Sequence, residues 1–148
     1  MTSRNGKEEG QMLVMIVGYV LLALLVATVV IGISSVYLDH KRLLSLADGA
    51  SLAAADSYTL GEVATQGGIP SATLNPVRVR NVAADFIARS PASRRFDGLS
   101  VTGATGSPDG ATAVVVLSAA VHPPVVNFLV PDGIRIEATS TARSRLTR

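Results

Sequence analysis

From Gln11 to Leu38 the chain carries no charged residue over 28 consecutive positions, and this run limits it to few folds. As a helix rising about 1.5 Å per residue, such a run reaches roughly 42 Å. About 20 residues suffice to cross a hydrocarbon layer of roughly 30 Å. A helix buried in a soluble protein would show a polar stripe, and this run has none. Lipid, or a bundle of similar helices, is the environment that accepts it.

The flanks agree with a membrane span. Arg4, Lys7, Glu8 and Glu9 precede the run, and Asp39, His40, Lys41 and Arg42 follow it. Tyr37 stands where an interfacial aromatic would. Gly18, Gly32, Ser34 and Ser35 are small enough to admit a second helix or simply to face lipid. The apolar run is about twice the length of a signal-peptide core. The small residues Ala53–Ala55 lie too far beyond it to serve as a cleavage site, so a retained anchor is expected. Two Lys/Arg residues lie close on each side, so charge does not decide orientation. The short N-terminus and larger C-terminal part lean toward a C-terminal domain outside the cytoplasm.

Beyond the membrane the helical pattern continues. Leu43, Ala47, Ala50 and Ala54 follow at i, i+4, i+7 and i+11, one narrow stripe of a helix. One continuous helix is predicted from about Glu9 to Tyr58, with residues 11–38 in lipid and 39–60 as an Ala-rich stalk after a short tail, 1–10. Gly61, Gly67–Gly68 and Pro70 then mark a break. Asn75–Pro76 resembles a helix start, with Asn as N-cap and Pro at the first helical position. Val79, Val82, Ala83 and Phe86 give that helix an apolar face, ending near Ser90–Pro91.

After it the period changes. Leu99–Val101, Ala113–Val121 and Ile134–Thr141 read as strands, separated by the turn signals Gly106–Gly110 and Pro131–Gly133. Val125–Val130 is an apolar segment of undecided type. The expected fold class is α+β: a long transmembrane and stalk helix, a short helix and a small antiparallel meander, with residues 61–148 as an extracytoplasmic domain.

Chemistry has little to stand on. The chain has no cysteine, which excludes disulfides, thiolate metal sites and cysteine nucleophiles. His40 and His122 are the only histidines, and neither has a second ligand at metal-binding spacing. Both read as exposed or interfacial side chains. No Gly-Lys-Ser/Thr phosphate loop and no Gly-x-Ser-x-Gly elbow occurs. Asp39, Asp48 and Asp56 drift around the helix and do not pair as an acid–base couple. At a net charge of +2, with 4% aromatics and no Trp, a nucleic-acid surface lacks both its charge and its stacking platforms. No catalytic residue, metal site, cofactor or small-molecule substrate is expected.

The stretch Tyr37–Ala55 resembles the N-terminal signature of TadE/TadG-like proteins of Flp (tight adherence) pilus assembly. In that family an apolar span is followed by Asp, a basic pair, a Leu and an Asp-x-Ala-x-Leu-Ala-x-Ala run. The matching positions are Asp39, Lys41, Arg42, Leu43, Asp48, Ala50, Leu52, Ala53 and Ala55, and the resemblance covers about residues 8 to 58. It implies a pilin-like, membrane-anchored component of a type IV-related pilus or secretion apparatus. Its partners would be the bilayer, other pilus or secretion membrane proteins, and homologous subunits through the helix.

The resemblance also implies a prepilin-peptidase site at Gly10–Gln11, and there the chain departs from it. Processed members carry a Glu five residues after the Gly, where this chain has Met15. The expectation is therefore an assembly factor that stays in the membrane. The competing expectation, from a different class, is an anchored sensory or ligand-binding domain, which needs a concave pocket with convergent polar groups.

Overall fold

The structure is a computed structural model. It describes residues 5–58, 63–66, 69–123 and 131–143, and side chains over 10–58, 73–123 and 131–143. Elements run in the order α1 (Asn5–Ala55), β1 (Val63–Gln66), β2 (Ile69–Ala72), α2 (Pro76–Arg89), a 3-10 turn (Pro91–Arg95), β3 (Asp97–Val101), β4 (Thr112–Val121) and β5 (Ile134–Arg143). The long helix, the short helix and the three-stranded antiparallel sheet are those expected, and the class is α+β. Val125–Val130 lies outside the described residues.

α1 is unbroken for 51 residues. Within the described residues it already includes Asn5, before the expected Glu9. The stripe Leu43, Ala47, Ala50 and Ala54 is fully buried, together with Leu46 and Ala55. This half of the helix, read from the sequence as a stalk, lies against β4, β5 and α2 and supplies the core of the domain.

Sheet order is β3-β4-β5. β4 and β5 pair without a break from Thr112↔Arg143 to Val121↔Ile134. β5 alternates cleanly: Ile136, Ala138, Ser140 and Ala142 face the core, while Arg135, Glu137, Thr139, Thr141 and Arg143 face out. That is the period of two of a half-buried strand. β4 buries three successive residues, Val115, Val116 and Leu117, and the chain after β3 continues along its edge, with Gly106 bridged to Val114. There the buried Thr105 hydroxyl donates to the Val116 carbonyl (3.2 Å) and accepts from the Val116 N–H (3.0 Å). β3 enters through a register shift between Asp97 and Ser100, at Gly98 with φ +60.

α2 begins as its sequence dictates. Asn75 caps it, its side-chain oxygen accepting from the N–H groups of Val77 (2.9 Å) and Arg78 (3.4 Å), with Pro76 next. Val79, Ala83 and Ile87 turn inward, and the helix stops at Ser90, before Pro91. The break expected around Pro70 is instead partly a two-stranded ribbon, β1 on β2, with Pro70 opposite Thr65. A two-stranded ribbon is all edge, where proline is tolerated. Before β4, Asp109 closes a turn: its carboxylate accepts from the N–H of Ala111 (3.0 Å), the N–H of Thr112 (2.6 Å) and the Thr112 hydroxyl (2.7 Å). Led by that hydroxyl, these bonds lower the Asp109 pKa to about 2.

Candidate functional site

The candidate site is α1 itself, which meets two environments along one backbone. From Met12 to Leu38 its large apolar side chains stand uncovered, except Val36, which is half-buried against the core. The most apolar 18-residue window of the helix has no residue buried against the rest of the chain, and the helix is long and apolar enough to cross a membrane. Taking such side chains out of water stabilises by roughly 1.5–3 kcal/mol each. Within lipid, a helix is also the form that satisfies its own backbone N–H and C=O groups.

The passage from uncovered to buried takes little more than one turn. Leu38 is 52% exposed and Leu43 is 0% exposed. Asp39, Lys41 and Arg42 occupy that turn. The Arg42 guanidinium meets the Asp39 carboxylate at 2.9 Å, a surface pair worth about 0–1 kcal/mol. The Lys41 ammonium stands 5.6 Å from the centre of the Tyr37 ring, within cation–π reach. A ring nitrogen of His40 lies 3.1 Å from the Glu137 carbonyl oxygen, so the turn is tied to β5.

The remaining signature positions divide by helix face. Leu43, Ala50 and Ala55 are core residues. Asp48 and Leu52 face out, and Ala53 is half-buried beside Val82, Phe86 and the Asp85–Arg89 pair of α2. Gly10 and Gln11 are exposed near the start of the helix, as is Met15 at 76%. The site residues therefore form no single cluster. They mark an interfacial turn, a buried seam and an outer face of one helix.

Three contacts were not legible in the sequence. The Ser51 hydroxyl donates to the Asp48 carbonyl (3.0 Å) and meets the Ser140 hydroxyl (3.1 Å) inside the core. Phe86 packs over Gly49. His122 is engaged with Asp97 at 3.1 Å, at the edge of the sheet, with Gly133 tight behind it. Gly49, which weakens a helical stretch without ending it, is the one sequence signal of the close approach of Phe86. Among the described residues no group of three or more His, Asp or Glu side chains is placed to hold a metal ion.

Neither characterised proteins nor solved structures give a match to the chain. Residues 10–57, which span the uncovered half of α1, the interfacial turn and the buried seam, match the family model Tad, described as "Putative Flp pilus-assembly TadE/G-like", and the resemblance seen in Tyr37–Ala55 is borne out there.

Proposed function

We propose that the chain is a membrane-anchored accessory component of Flp-type pilus assembly or a related secretion apparatus, working through protein–protein contacts. The carrying observation is the coincidence of the family match at residues 10–57 with a helix that is uncovered over one half and core over the other. The uncovered half sits in the cytoplasmic membrane, and the α2 and sheet domain lies outside the cytoplasm. With Met15 in place of a Glu, the chain remains an anchored factor rather than a processed subunit.

The chain lacks cysteine, so single cysteines can report topology. Ala92→Cys and Thr141→Cys, both at exposed positions of the domain, are expected to react with a membrane-impermeant maleimide in intact cells. The protein is expected in the membrane fraction, resistant to carbonate, and cross-linked to pilus or secretion membrane proteins. Labelling only after lysis would overturn the topology. Recovery in the soluble fraction would overturn the anchor.

A further inference from the structure

We infer that the membrane-facing rim of the domain is a binding surface for anionic phospholipid headgroups; this rests on the anchoring reading above. Two internal rulers place the rim. The first is α2, which runs antiparallel to α1. Near its start Arg78 donates to the Ser57 carbonyl (3.5 Å). Eight residues further along α2, Phe86 covers Gly49, eight residues back along α1. α2 therefore descends toward the apolar half, and the turn Pro91–Arg95 lies beyond its lower end, with Arg94 and Arg95 exposed.

The second ruler is β5. The contact of His40 with the Glu137 carbonyl fixes Glu137 at the interfacial turn of α1. Arg135, two residues earlier in the strand, lies about 7 Å closer to the bilayer. The register Asp97↔Ala120 and Ala120↔Arg135 sets Asp97, and so the arginine pair just before it, at that same level.

The basic residues at this level are Arg94, Arg95 and Arg135, with Lys41 and Arg42 a step farther out, beside Glu137. Their acidic neighbours are Asp39, paired with Arg42, and Asp97, which contacts the His122 ring and keeps its charge. Asp132 is exposed in the turn before β5, and Glu137 stands one step farther from the lipid. Among the described residues Arg94, Arg95 and Arg135 make no ion pair. Guanidinium groups bind phosphate oxygens in two-point fashion. When the apolar helix is in a bilayer, the phosphate layer is the surface these arginines meet.

The test uses the full-length chain in proteoliposomes containing trace spin-labelled phosphatidylglycerol or phosphatidylcholine. Electron paramagnetic resonance then reads the motionally restricted lipid around the protein. A preference for phosphatidylglycerol is expected. It should weaken by a factor on the order of 2–5 per arginine removed, in Arg94→Gln, Arg95→Gln and Arg135→Gln. It should also collapse in wild type at high salt. Arg143→Gln, at the opposite end of β5, should leave it unchanged. Equal restriction of both lipids, a preference indifferent to salt, or an equal loss in Arg143→Gln overturns the inference and leaves the anchor standing. Absence of any restricted lipid overturns the anchoring reading itself.

Discussion

The ring of Phe86 occupies the space that a side chain on residue 49 would need: a Cβ built on Gly49 would stand 2.7 Å from the Phe86 Cζ. The glycine thus lets the last turn of α2 close onto α1, and its cost to helix stability, about 1 kcal/mol relative to alanine, is offset by the packing of the ring.

Gly49→Val is expected to destabilise the domain by about 1–3 kcal/mol, since a branched side chain must displace the ring. Combining it with Phe86→Ala removes the clash, so the two changes should be strongly non-additive. Denaturant titration of the detergent-solubilised chain, followed by circular dichroism, measures both. Additive losses would show that the ring and the glycine do not meet.

Ser51 and Ser140 are 1% and 9% exposed and share a hydrogen bond 3.1 Å long. Ser140→Ala should cost about 0.5–1.5 kcal/mol. Ser51→Ala, which also loses the bond to Asp48, should cost somewhat more. The double variant should cost less than the two together, because neither hydroxyl is then left unmatched. A double-mutant cycle on the same unfolding assay gives the coupling.

Asn75→Ala removes the cap of α2 and should lower stability by about 1 kcal/mol, with Asn75→Asp recovering most of the loss. Thermal melts of the three proteins decide this. An unchanged Tm in the alanine variant would mean that the start of α2 is held by other contacts.

Asp109 supplies a pH signature. Its folded-state pKa, about 2, lies below the ordinary 3.8, so its contribution to stability is complete above the unfolded value and disappears as pH falls through the folded one. The window is therefore about pH 4 down to about 2. Asp109→Asn should lower Tm at pH 6, and the gap from wild type should narrow across that window. A gap that widens on acidification would contradict the direction of the shift.

Periodicity made the long-range architecture legible wherever neighbours in sequence are neighbours on one face. Leu43, Ala47, Ala50 and Ala54 announced the buried seam because a helix repeats every 3.6 residues. Asn75–Pro76 announced α2 because both residues act on local backbone groups. The alternation at Ile134–Thr141 announced β5 for the same reason. What stayed hidden depends on partners far along the chain: Ser140 is 89 residues from Ser51, and Glu137 is 97 from His40. The pattern showed that Ala47 and Ala50 were covered, yet not that β4 and β5 cover them, so the segment read as a stalk. Pro70 misled because a breaker signal does not distinguish a loop from a strand at an unshared edge.

The unbroken run of α1 from the apolar half into the core has a mechanical consequence. No joint separates the part that lipid holds from the part that carries the sheet, so the domain tilts and turns with its anchor. β5 climbs in the same direction as the helix, so a tug along the anchor loads the helix–sheet contacts in shear. They share the force together instead of peeling apart in succession. Such a body suits a place where one end is held while neighbours push or pull on the other.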